Sequence, residues 1–301
     1  MIQQQSLSGR AWAELLLLSF IWGGSFLSIR VALDEIGPLT SVAHRTFWAM
    51  LILWGYIWIK GLPLPRNPLI WFAFLAMGLL NNVIPFSLMA WGQLYIETGL
   101  TSILNAATAI FGVVLAAIFF ADERLSLRRF IGVTLGFLGV AVAIGLHNLT
   151  QFDLRSLAQI AVILGTVSYA FAGIWARKTL KDLPPQVAAA GMLTGASLIM
   201  VPLAWYVEGP ISLSLQTDTT IAIAYYTVVA TALAYLLYYR VLAMAGSGNL
   251  MLCTLLIAPV AITLGALILD ETLLPQAYLG FAILALGLII LDGRVLRRRR
   301  T

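Results

Sequence analysis

Ala121-Asp122-Glu123-Arg124-Leu125, followed by Gly132 and Gly139, returns later in the chain as Leu269-Asp270-Glu271-Thr272-Leu273, followed by Gly280 and Gly287. Every matched position lies 148 residues on. Upstream of this pair, Trp22 and Arg30 align with Tyr169 and Arg177 at a spacing of 147, and Pro38 aligns with Pro185 at the same spacing. One residue of drift is a small insertion. A fixed long period in prolines, glycines and acidic pairs is the signature of an internal duplication. The chain therefore divides into two halves, 1–150 and 151–301.

What lies between these landmarks is almost wholly apolar. Of 301 residues, 61% are hydrophobic and 10% charged, whereas a soluble domain has about 25% charged residues. A chain of this length with so little polar surface has to be solvated by lipid. A membrane-spanning helix needs about 20 mainly apolar residues. Ten such runs are present, at 11–30, 38–60, 69–93, 99–120, 129–147, 157–178, 186–207, 219–241, 249–269 and 275–292. The first is long enough to span and has a counterpart in the second half, which argues against a cleaved signal peptide. The fold class expected is an all-α membrane protein of ten transmembrane helices. Five spans per half is an odd number, so the second half enters the membrane from the opposite side and the two repeats are inverted.

Charge orients the chain. With both termini in the cytoplasm, all but three of the 18 Lys and Arg fall inside. The exceptions are Arg30 and Arg155 outside and Arg45 within the second span. This is the expected cytoplasmic bias of basic residues, and it places the protein as a multi-pass protein of the plasma (bacterial inner) membrane. The net charge of +5 is therefore an orientation signal, and no nucleic acid partner is implied. The single cysteine, Cys253, makes no intrachain disulfide, and no Cys/His spacing suits a metal. No cofactor is expected.

Inverted repeats are the architecture by which secondary transporters exchange access around a central site. The motifs agree. Trp22-Gly23-Gly24-Ser25-Phe26, Pro38 with Arg45, and Glu123-Arg124-Leu125 with Gly132 and Gly139, echoed by Pro259, Glu271, Gly280 and Gly287, resemble in order the signatures of the EamA branch of the drug/metabolite transporter superfamily. The resemblance spans the whole chain. It implies a helix bundle with a central cavity lined mainly by spans one, three, four, six, eight and nine, and export of small metabolites, often amino acids. One departure is visible. Phe111 stands where Pro259 would place a proline in the fourth span, so the fourth helix is expected to be straighter than the ninth.

Polar groups at bilayer depth are costly and mark candidate sites. Asn81 and Asn82 in the third span could bind a zwitterionic or hydroxylated solute, or hydrogen-bond another helix. Trp22 and its mate Tyr169 lie at mid-depth, where an aromatic pair suggests a cavity wall. Ser25, Asn105, Thr108, Tyr235, Tyr239 and Thr254 are further lining candidates, and Tyr235 and Tyr239, four apart, share a face. His44, Arg45 and Pro259 are candidates for gating or coupling. Arg45 could instead bind a carboxylate or satisfy neighbouring carbonyls, and His44 could titrate or simply pack. Gly132 and Gly136 form a small-residue face for helix contact, and the Glu123 and Glu271 motifs are expected to cap turns at the membrane edge. No carboxylate lies at mid-depth, which points away from cationic drugs and towards neutral or zwitterionic solutes.

The function expected is export of small metabolites, amino acids first, by alternating access. The partners are a small-molecule solute and the lipid bilayer, and the chain is a monomer or homodimer. The alternatives are a facilitator or exchanger of sugars or drugs, and a membrane enzyme acting on lipid-linked substrates. The last would need a nucleophile–base pair or metal ligands in a pocket, and only His44 and His147 are available.

Overall fold

Prolines 38, 68, 185 and 275 each open a helix, a position where the missing N–H costs nothing and the fixed φ is already helical. Asn67, Ser126 and Asp153 cap three helix starts, their side chains accepting hydrogen bonds from Leu69, Arg129 and Ser156 N–H. The burial of the Asp153 carboxyl is negligible, and the Ser156 N–H holds it below its ordinary pKa of 3.8.

The computed structural model describes residues 9–120, 126–145, 153–250 and 252–292. Its helices are α1 Gly9–Ala32, α2 Pro38–Lys60, α3 Pro68–Gly92, α4 Thr98–Phe119, α5 Leu127–Ile144, α6 Leu154–Thr179, α7 Pro185–Glu208, α8 Thr217–Val241, α9 Leu252–Ile268 and α10 Pro275–Asp292. The helical backbone of α8 continues to Leu250. No strand occurs among the described residues. The boundaries agree with the apolar runs to within a few residues. Seven of the helices are long and apolar enough to cross a membrane. Of the others, α2 carries His44, Arg45 and Lys60, and the apolar parts of α9 and α10 are shorter. The Asp122-Glu123-Arg124 motif, His147, Arg294 and the terminal arginines lie outside the described residues.

Helix α5 packs closely on α10, α2 on α7 and α8, and α3 on α7; α4 packs on α9, α1 on α8 and α9, and α6 on α3 and α4. Exchanging each of α1–α5 with the helix five places on returns the same set. The α5–α10 contact is made by glycines. A Cβ on Gly139 would lie 2.4 Å from the Leu284 nitrogen, and one on Gly280 would lie 2.4 Å from the Ala143 nitrogen. Gly132 and Gly136 share this packing role, against Leu291 with Gly287 and against Ile110 respectively.

Carboxylates tie loops together at the end of the bundle where α1 finishes. Glu208 accepts from the N–H groups of Leu39 and Thr40 at the start of α2, and Glu35 from Gln216 at the start of α8. Glu271 accepts from Thr98 N–H at 2.9 Å and more weakly from Gly99 N–H, so it caps α4 across the two halves. Glu97 and Arg155 form a two-pronged pair at 3.1 and 2.8 Å. At the opposite end, Glu14 receives both Arg10 and Arg240.

The expectation of a straighter fourth helix is overturned. Helix α4 is interrupted at Ala106-Ala107 between Thr98–Asn105 and Thr108–Phe119, whereas α9 runs unbroken through Pro259. The cause is local. Ala106 and Ala107 N–H bond three residues back, to Ile103 and Leu104, and the Thr108 hydroxyl donates to the Asn105 carbonyl at 2.7 Å. Polar side chains that compete for the backbone, beside small residues that permit the tighter 3₁₀ turn, break a helix without proline.

Candidate functional site

Two stretches of the bundle abandon α-helical register. Leu79–Val83 in α3 and Tyr225–Leu233 in α8 are π-helical. A spacing of 148 carries the first onto 227–231, inside the second. π-Segments are rare, and they free backbone carbonyls that other groups must satisfy. Each is answered by a side chain from the first helix of the opposite half. Trp22 on α1 donates its indole N–H to the Ala230 carbonyl at 3.1 Å, and Ser168 on α6 donates its hydroxyl to the Leu80 carbonyl at 2.7 Å.

Arg45 projects from α2, which packs against both π-segments, and is 8% exposed. Its Nε donates to Thr231 Oγ1 at 2.9 Å, and that hydroxyl donates in turn to the Tyr226 carbonyl at 2.7 Å, five residues back. The guanidinium carbon sits 4.0 Å above the centroid of the Phe86 ring. The neighbouring groups within electrostatic reach are the hydroxyls of Tyr169, Tyr235 and Tyr226. Among the described residues no carboxylate pairs with Arg45.

Asn82 is fully buried in the α3 π-segment. It lies beside the Tyr235 hydroxyl, yet neither its oxygen nor its nitrogen has a hydrogen-bond partner of acceptable geometry. Asn81, one residue back, also flanks Tyr235 and donates to the Met192 sulfur at 3.6 Å. Aromatic rings extend the cluster. Phe86 meets Tyr169 edge-on at 6.4 Å, Trp22 lies 5.8 Å from Tyr238, and Tyr238 lies 5.2 Å from Tyr239.

Of the residues singled out in the sequence, the structure therefore brings Arg45, Asn81, Asn82, Tyr169 and Tyr235 into one group, with Tyr239 and Trp22 continuing it through Tyr238. It does not bring in the rest. The Ser25 hydroxyl is spent on the Trp22 carbonyl of its own helix. Asn105 is half-buried at the α4 break, and its carbonyl serves Thr108. Thr254 is half-buried near the start of α9. Pro259 is exposed. His44 turns away from its neighbour Arg45, as adjacent helix positions must. It lies by the α7–α8 loop at Ser212, and its Nδ1 accepts from the Trp48 indole at 3.1 Å. That bond leaves the proton of the neutral imidazole on Nε2.

Five contributors had no distinguishing mark in the sequence: Thr231, Tyr226, Tyr238, Phe86 and Ser168. The nearest signal was a hydroxyl or aromatic in an otherwise apolar run, which also describes many packing residues.

The arrangement is a buried cation with an unused amide and several phenols, held on α2 between the irregular stretches of α3 and α8. It has donors to offer and no acid. No group of three or more His, Cys, Asp or Glu that could hold a metal occurs among the described residues.

Comparison with known proteins follows the same line. The pattern of the EamA-like transporter family matches residues 9–145 and again residues 156–291. The chain is 25% identical to the "probable terminal-alkyne amino-acid exporter" of Streptantibioticus cattleyicolor, over 98% of this chain and 97% of that one. It is 24% identical to the "probable amino-acid metabolite efflux pump" of Escherichia coli, over 91% and 92%. It is also 24% identical to an uncharacterized transporter of Archaeoglobus fulgidus, over 96% and 100%. One crystal structure superposes with a TM-score of 0.68 at 15% identity, covering 97% of this chain and 99% of that one.

Proposed function

The chain belongs to the EamA-like transporter family, a multi-pass membrane family, and from that premise we propose that it exports small metabolites, amino acids or related zwitterionic and neutral solutes first, by alternating access. In this reading α1–α10 cross the membrane ten times as two inverted five-helix repeats, 1–150 and 151–301. Both termini are cytoplasmic in the plasma membrane. The solute site lies between the α3 and α8 π-segments, bounded by Trp22, Asn81, Asn82, Tyr169, Tyr235 and Tyr239.

The observation that carries the proposal is the exchange of hydrogen bonds between halves. Trp22 and Ser168, on the first helices of the two halves, each hold a carbonyl in the π-segment of the other. Rocking one half against the other must therefore remodel the backbone at the site itself, and that is the coupling alternating access requires. Two successive family matches and the self-mapping helix pairings support the inverted repeat. The amino-acid class rests on the names of relatives at about one-quarter identity and on the absence of a mid-depth carboxylate among the described residues.

The amino-acid class is tested by counterflow. Purified protein in liposomes is loaded with a panel of unlabelled amino acids, and uptake of labelled ones is followed, with Trp22→Ala alongside. Accelerated uptake that the folded variant loses is the expected result. Wild-type protein shown to be folded, yet exchanging no amino acid, would refute the substrate class. Wild-type exchange by folded Trp22→Ala would remove α1 from the site.

A further inference from the structure

We propose that the transported solute carries a carboxylate and that Arg45 is its anchor. The inference rests on the cluster between the two π-segments being the transport site and adds to it the charge of the solute.

The argument starts from an unbalanced charge. A guanidinium at bilayer depth is costly unless something compensates it. Among the described residues Arg45 has one hydrogen bond, from Nε to the Thr231 hydroxyl, and one stacked face, on Phe86. Neither is anionic, and no carboxylate among the described residues reaches it. Nε and Phe86 together fix the plane of the group, and the other edge of a guanidinium is a fork that suits a planar two-oxygen anion. A residue kept only for helix packing would gain nothing from a charge held in this way.

The second observation is independent of the first. Asn82 is fully buried with its amide nitrogen and oxygen both unpartnered. Leaving a buried amide unpaired is costly, and the amide faces the same tyrosine, Tyr235, that lies within electrostatic reach of Arg45. A carboxylate seated at Arg45 would meet this phenol, and that of Tyr169, as further donors. The rest of the cluster is Phe86, Trp22 and Tyr238, aromatic surface for an apolar remainder. A phosphate would require several cations, and among the described residues this cluster supplies Arg45 alone. An amine without a carboxylate would meet a positive charge and no counter-charge.

The test uses the full-length protein in liposomes and four solute series matched in side chain: amino acids, their 2-oxo acids, their decarboxylated amines and their carboxamides. Exchange of the amino acids and the 2-oxo acids, with amines and carboxamides exchanged about 10- to 100-fold more slowly, is the expected result, the range that loss of one charge-assisted pair gives. Amines or carboxamides exchanged as fast as the acids would overturn the inference while leaving the transport reading intact. No exchange in any series, from folded protein, would overturn both. Arg45→Gln is expected to remove the preference for acids and Arg45→Lys to keep part of it. If those variants do not fold, Asn82→Ala supplies the second arm, and the wild-type solute series decides the matter by itself.

Discussion

Replacing Gly139 by alanine adds a single methyl group where two helix backbones meet closely. The new Cβ would stand 2.4 Å from the Leu284 nitrogen, 2.7 Å from the Gly280 oxygen and 2.8 Å from the Leu284 Cα. All three are backbone atoms of α10, so no side chain can rotate away, and α5 and α10 must separate by about 1 Å to restore ordinary contact distances near 3.5–4.0 Å. Overpacking of this kind costs about 1–3 kcal/mol. Separation also weakens the neighbouring contacts, since a gap of about 0.5–1 Å forfeits a quarter to a half of each. Against this, alanine is favoured over glycine in a helix by about 0.8–1.0 kcal/mol. Gly112 in α4 supplies the control, because a Cβ there meets nothing within 4 Å. Gly112→Ala should therefore keep the helical gain, and the two variants should differ by about 1–3 kcal/mol in favour of Gly112→Ala. Unfolding by detergent titration or heat, read by circular dichroism, measures that difference. Gly139→Ala as stable as Gly112→Ala would refute the close α5–α10 contact.

Three further outcomes are expected. Trp22→Phe keeps the ring and loses the N–H to the Ala230 carbonyl, so it should lower stability by about 1–3 kcal/mol and slow exchange; equal melting and equal rates would show that the α1–α8 link is dispensable. Glu271→Gln removes the negative charge at the start of α4 and should cost about 0.3–1 kcal/mol, more for Glu271→Ala; no loss of melting temperature in either would refute the cap. The lowered pKa of Asp153 means its capping contribution is fully present above the ordinary value of 3.8 and disappears as pH falls through the lowered one, so the melting difference between wild type and Asp153→Ala should be present at neutral pH and close in acid, and a difference independent of pH would be the contrary result.

Helix positions are legible because apolar runs of spanning length are a local signal, which prolines at the first turn and the caps at Asn67, Ser126 and Asp153 reinforce in the structure. The α4 break was misread because proline was taken as the chief cause of a bend. The signal was present in Asn105-Ala106-Ala107-Thr108, but it acts through side-chain competition for backbone carbonyls, which composition does not display. The π-segments left no trace. Tyr225-Tyr226-Thr227-Val228-Val229-Ala230-Thr231-Ala232-Leu233 reads as any apolar span, because register depends on what satisfies the carbonyls, and those donors come from the other half. Arg45 was found for its depth. Its partner Thr231 stands 186 residues away, and nothing local separates it from other buried threonines. Glu271 was recognised as a cap, but its target, the start of α4, is set by the pairing of halves.

The proposed duplication would supply two nearly equivalent frames, and the residues around Arg45 are where the two differ. At the spacings of the repeat, the counterpart of Arg45 is Met192, and the counterparts of Asn81 and Asn82 are Val229 and Ala230. The first half therefore contributes the charge and both amides, while the second contributes a thioether, two aliphatic side chains and the Thr231 hydroxyl that steadies Arg45. Met192 accepts the Asn81 amide, so one amide is spent across the axis and Asn82 alone is unused. In the proposed site a solute would meet different chemistry in its two orientations, a cation at Arg45 and aromatic surface at Trp22 and Tyr238. Under the proposed alternating-access reading, the symmetric part of the sequence would supply the motion, and the three positions that break the symmetry would supply the selection.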